Sequence, residues 1–177
     1  MADFEYLINK ELSDEQKGIL ATMMAKMAVC DGHVDPFEVD FLGSFLQPHF
    51  GNELEEALRN LPPLEDDKVA SQGKGAEQTL YLFCSLLSCV DEHVDEKEEN
   101  LLQHYGQVLG IDEATQRDLN SLARQQVLQQ CARAMTSVPG PLEEKLKAVT
   151  TVGKRLKARP EDMEQAKMVF QSPGQDE

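Results

Sequence analysis

Tryptophan is absent from this 177-residue chain, and aromatic residues of all kinds make up only 6% of it. Paired carboxylates that cleave glycosidic bonds need a platform for the sugar, and this composition supplies little of one. Positive charge is scarce as well: 17 Lys and Arg stand against 32 Asp and Glu, for a formal net charge of −15. Binding to a phosphate backbone calls for a basic face, so nucleic acid is excluded as a partner. No apolar run approaches the ~20 residues that cross a bilayer. The opening Met1-Ala2-Asp3-Phe4-Glu5 has neither the basic nor the apolar region of a secretory signal. A cytoplasmic address is the resulting expectation. Cysteines are few and unpaired in pattern: Cys30, Cys84, Cys89 and Cys131 form no Cys-x-x-Cys, and Cys84 and Cys89 do not share a helix face. Each sits among apolar neighbours, where a free thiol packs as a small hydrophobe. A nucleophile elbow, a phosphate loop and an HExxH helix are all missing, so no enzyme is expected.

What remains is helix, almost throughout. Ser13 with Gln16 forms a capping box, and Ile19, Leu20, Met23, Met24, Met27 and Cys30 follow at spacings of three and four. Asp31-Gly32 stops that stripe. Asp35, Pro36 and Glu38 open a second helix carrying Phe41, Leu42, Phe45 and Leu46, with Pro48 as its expected end. A third is expected from Asn52 to Asn60, followed by a loop from Leu64 to Gly75. Helix resumes near Ala76 with Leu80, Phe83, Cys84, Leu87 and Val90; Asp95 and Glu98 cap the next, which ends at Gly110. A stretch from Asp112 to Val138, broken near Asn120, precedes an amphipathic helix marked by Leu142, Leu146, Val149, Val152 and Leu156, and a short one over Glu161 to Phe170. Residues 171–177 read as a disordered tail. No strand is expected. The predicted fold is all-α, a compact bundle of about seven to eight helices.

An internal repeat organises the chain. Shifted by 60 residues, Asp31-Gly-His33-Val34-Asp35-Pro-Phe-Glu38 falls on Asp91-Glu-His93-Val94-Asp95-Glu-Lys-Glu98, with six identities in the twelve positions from 31 to 42. Flanking apolar positions match in kind, as in Leu20 with Leu80 and Phe41 with Leu101. Each unit, at about 14–47 and 75–110, is a helix, a tight acidic turn and a second helix. Neither hairpin hides its stripe alone, so the two are expected to pack about a pseudo-twofold axis.

The turns carry the candidate chemistry. Asp31 and Asp91 are placed at helix ends, where the backbone dipole disfavours a carboxylate unless a cation offsets it. Asp35 and Asp95 start the following helices, and Glu38 and Glu98 lie one turn further in. These six carboxylates suit Ca²⁺, Mg²⁺ or Mn²⁺; His33 and His93 extend the range to Zn²⁺. Capping explains the same residues without a metal, since Asp35 with Glu38 and Asp95 with Glu98 are capping boxes and Asp31-Gly32 is a turn dipeptide. In the second copy Glu92 replaces Gly32, and strain is expected there. An EF-hand is excluded: a loop beginning at Asp31 puts Pro36 at the required glycine and Leu42 at the bidentate glutamate, and one beginning at Asp91 puts Glu96 and Leu102 there.

The run Cys30-Asp31-Gly32-His33-Val34-Asp35-x-x-Glu38 between two amphipathic helices, with its echo Val90-Asp91-Glu92-His93-Val94-Asp95-x-x-Glu98, resembles the tellurite-resistance TerB-like family. The resemblance covers about Ser13 to Ala123. It implies an all-helical, pseudo-symmetric domain with an acidic, metal-chelating surface, of the kind associated with tellurite and envelope-stress systems and with J-domain co-chaperones. Carried onto this chain, the matching positions are Asp31, Asp35, Glu38, Asp91, Asp95 and Glu98; Glu92 departs from the pattern.

Charge divides the chain in the same place. Residues 1–123 hold 25 acidic and 8 basic residues, a net −17, whereas residues 124–169 hold 5 and 9, a net +4. The first part reads as the core and 124–170 as an arm whose Lys145, Lys147, Lys154, Arg155 and Lys157 fold back on the acidic body. Interrupted by Glu143 and Glu144, those charges make a poor membrane-binding face. Two functions stay open: a stress-response accessory protein that binds a divalent cation through paired acidic turns, and a metal-free adaptor that receives a protein partner on its acidic surface and Met-rich grooves.

Overall fold

The computed structural model describes residues 4–30, 32, 36–50, 63–92 and 94–171. Among these there is no strand and there are nine α-helices. They are α1 (Phe4–Ile8), α2 (Asp14–Ala28), α3 (Pro36–Phe50), α4 (Asp66–Gln72) and α5 (Glu77–Leu87), then α6 (Glu96–Val108), α7 (Glu113–Thr136), α8 (Leu142–Arg155) and α9 (Pro160–Lys167). A 3₁₀ turn over Met168–Phe170 follows α9. The all-α expectation holds.

Local chemistry starts the helices where the sequence puts the caps. The Gln16 amide donates to Ser13 Oγ at 3.2 Å, and the Ser13 amide donates to Gln16 Oε1 at 3.1 Å. Asp112 opens α7 by accepting from the Thr115 amide at 3.0 Å and the Thr115 hydroxyl at 2.7 Å. Both donors favour the charged carboxylate and hold the Asp112 pKa below its usual value.

α5 is the centre. Every residue from Thr79 to Leu87 is buried, and the helix packs against α1, α2, α3, α6 and α7. A helix apolar on all sides stays helical because its neighbours cover each face. Met23, Met24, Leu42, Leu80, Leu102, Leu119 and Ala123 belong to this first core. A second, smaller core joins Leu128 and Ala132 of α7 to Val149, Val152 and Leu156, with Cys89, Val94 and Ala166 completing it. α7 therefore belongs to both, its first half in one and its second half in the other, and Val127 touches each.

Several expectations are corrected. The stretch Leu64–Gly75 is not all loop: α4 forms within it, since Asp66 and Asp67 suit a helix N-terminus and Val69 buries its side chain. α1, unforeseen, packs on α5 and buries Leu7. Pro48 does not end α3, which runs to Phe50; a proline so near the end removes only one bond of the ladder. α7 is unbroken at Asn120 because the amide is spent across the interface, with the Ser85 hydroxyl donating to Asn120 Oδ1 at 2.8 Å. It therefore offers no competition to its own backbone. The division at 123/124 falls inside that helix, so core and arm share one rod. Leu142, the expected start of the α8 stripe, is exposed. The expected helix from Asn52 to Asn60 and the tail beyond residue 171 lie outside the described residues.

Candidate functional site

The two acidic turns are built by similar backbone geometry. After α2, the Cys30 amide donates to Met27 O at 3.1 Å and the Gly32 amide to Val29 O at 3.2 Å. After α5, the Val90 amide donates to Leu87 O at 3.1 Å and the Glu92 amide to Cys89 O at 3.0 Å. Both chains then enter the left-handed region, Gly32 at φ +90° and Glu92 at φ +64°. Glycine does so freely, whereas Glu92 carries the cost of its Cβ, about 1–2 kcal/mol. The helices close earlier than expected, at Ala28 and Leu87, so Asp91 lies four residues beyond the last turn of α5. The i→i−3 bonds at Cys89 and Val90 draw the chain off the helix axis, and the dipole no longer acts directly on Asp91.

The second turn shows where its carboxylates go. Asp95 Oδ1 accepts from the Lys97 amide at 2.7 Å, and Glu98 Oε2 accepts from the Asp95 amide at 2.9 Å. Together they complete the capping box that starts α6, with Glu98 buried behind it. The Glu92 carboxylate lies near the Cys131 thiol on α7. Burial and the adjacent Glu92 charge push that thiol up to about 11. Val94, within the same turn, is buried in the second core.

Of the eight residues singled out in the sequence, the structure brings Asp95 and Glu98 together and leaves Asp91 half-buried at the turn. Glu38 is buried in the first turn of α3. Asp31, Asp35, His33 and His93 lie outside the described residues. Among the described residues, no group of three or more His, Cys, Asp or Glu side chains is arranged to hold a metal ion. All four cysteines are free thiols. Burial raises Cys84 and Cys89, the latter to about 11, so both are protonated and inert at neutral pH.

The sequence reading missed the carboxylate that ties arm to body. Glu99 Oε2 pairs with Lys157 Nζ at 2.8 Å, and Glu99 Oε1 with Arg124 Nη2 at 3.4 Å. Lys157 was among the basic residues expected to reach the acidic body; Arg124 and Glu99 were not singled out, because no periodicity links positions 99, 124 and 157. Lys145 instead donates to Thr136 O at 3.3 Å. Among the described residues, no helix is long and apolar enough to cross a membrane. No protein-family model, no curated protein and no solved structure matches this chain.

Proposed function

We propose that this chain is a non-enzymatic accessory module, TerB-like in its paired hairpins, that works as a metal-free adaptor for a protein partner. The observation that carries this reading is the capping box at Asp95 and Glu98. Two of the six candidate ligands direct oxygens at their own backbone amides. Such turns act as stiff corners that fix where the helices leave the core. The acidic surface then supplies recognition: Glu11, Asp14, Glu15 and Asp67 are exposed, and a field of one sign steers and orients a basic partner.

Calorimetry with Ca²⁺, Mn²⁺ and Zn²⁺ on the wild type and on Asp31→Ala/Asp91→Ala tests the reading. The adaptor gives no saturable heat and no shift in melting temperature with any of the three ions. A stoichiometric site that disappears in the double variant would replace the adaptor with a cation-binding protein. A partner captured by the full chain should be lost on Glu11→Lys/Glu15→Lys, while the fold survives.

A further inference from the structure

The acidic chain keeps a basic cleft. Between the first half of α7 and the α8–α9 junction lies a recess of about 390 Å³, lined by Arg117, Arg124, Lys157 and Arg159 with Asp118 and Asp162. Four of the 17 cations of the chain thus gather on one concave surface, against two carboxylates. A second recess of about 290 Å³ adjoins it and shares Arg117 and Arg124.

The internal pairing is uneven: Arg159 has two carboxylates, with Glu161 Oε1 3.5 Å from its Nε beside Asp162, whereas Arg117 has none among the described residues. Asp162 is buried at 3% exposure and holds Arg159, accepting from Nε at 3.0 Å and from Nη2 at 3.4 Å. Its Oδ2 also accepts from the Ser121 hydroxyl at 3.2 Å, so Asp162 fixes the Arg159 guanidinium. Arg124 and Lys157 divide a single carboxylate, that of Glu99. Arg117 Nε donates to the Glu113 carbonyl at 3.2 Å, and its guanidinium is in no ion pair among the described residues. Asp118 is the second acid of the cleft wall.

Lys157 adds an independent observation. It occupies the residue after the α8 C-cap at φ +53°, with Lys157 N donating to Lys154 O at 3.2 Å and Ala158 N to Gly153 O at 2.8 Å. Glycine is the usual residue there, and a side chain costs about 1–2 kcal/mol. Here the strained position holds an ammonium over the cleft, and strain of this sort gathers at ligand sites.

We propose that this cleft binds a small, soluble phosphate monoester. A dianion with a tetrahedral array of acceptors can take donors from several directions, and guanidinium forks match phosphate oxygens two at a time. The recess is of the size that holds a small metabolite. Asp118 disfavours a bare anion and suits a ligand that also carries a hydroxyl. The net −17 of residues 1–123 opposes the many charges of an anionic lipid surface far more than a single dianion that meets only the cleft cations, which leaves a diffusing molecule as the occupant.

The test is ¹⁵N NMR on the full chain, following the Arg Nε–Hε signals, with inorganic phosphate and glycerol 2-phosphate titrated at constant ionic strength. Saturable shifts are expected at Arg117, Arg124 and Arg159, tighter for the ester, and strengthening through about pH 6 as the monoester becomes a dianion. Arg117→Gln and Lys157→Gly should each weaken binding by about tenfold or more. Arg155 lines a different recess, beside Glu92 and Glu144, so Arg155→Gln serves as the control and should bind as the wild type does. Lys157→Gly also separates a site from a staple, since relief of the strained φ leaves the melting temperature unchanged or higher while binding falls. Shifts linear in concentration, equal responses to chloride, indifference to Arg117→Gln and Lys157→Gly, or preference for phosphatidic acid vesicles would each overturn the proposal.

Discussion

At the scale of single residues, Glu92 carries the most information. It shares the left-handed backbone of Gly32, yet it sets a carboxylate near the Cys131 thiol on α7. The second turn thereby places a charge beside the arm, while the corresponding position of the first turn has no side chain to do so. Substitution separates the two contributions. Glu92→Gly removes the strain and the thiol contact together and should leave stability unchanged or slightly raised. Glu92→Val keeps the strain, adds a β-branched clash and loses the contact, so it should cost about 1–2 kcal/mol. Urea unfolding of the two variants checks this, and equal losses in both would mean that the contact to Cys131, not the backbone, sets the energetics. The strain at Glu92 is legible in the sequence, because the repeat aligns it with a glycine. Its partner is not, since nothing in a one-dimensional pattern joins position 92 to position 131.

At the scale of elements, caps decide where helices begin. Asp95→Ala removes the acceptor for the Lys97 amide and should cost about 1 kcal/mol. The loss should be the same with and without Ca²⁺, Mn²⁺ or Zn²⁺; a loss that grows when an ion is added would show that Asp95 holds the ion as well. Starts of this kind are readable, as at Ser13, Asp95 and Asp112, because a cap is a contract between residues two or three apart. Periodicity likewise marks α2, α5 and α8. What stays hidden is decided by tertiary partners. α4 is polar on every side but that of Val69, and its contacts with α2 and α6 hold it helical. Asn120 reads as a helix breaker until Ser85 is placed opposite it. The basic cleft is equally invisible: Arg117, Arg124, Lys157 and Arg159 come from a helix and a distant junction, and only folding puts them on one surface.

At the scale of the whole molecule, two cores hang on one continuous helix, and α7 cannot fray in the middle without opening both. Unfolding should therefore be a single transition, and alkali gives a way to see it. Burial pushes Cys89 and Cys131 from 9.0 to about 11, and Tyr81 from 10.0 to about 12; Cys84 and Tyr105 are raised for the same reason. In the folded protein these groups keep their protons where the unfolded chain has begun to release them. The stability they protect is complete below the unfolded values and is lost as pH climbs from about 9 toward 11–12, by up to about 1.4 kcal/mol per pH unit for each fully buried group and by less for the half-buried Cys131, which solvent screens. Both cores hold such groups, Tyr81, Cys84 and Tyr105 in the first and Cys89 in the second. Urea midpoints measured under reducing conditions should thus be flat from pH 7 to 8.5 and fall steeply beyond 9. Far-ultraviolet circular dichroism and tyrosine ionisation should change together. Cys89→Ala should flatten the fall by about one proton's worth. Two separated transitions, with tyrosine ionisation preceding loss of helix, would show that the cores melt independently and that α7 does not couple them.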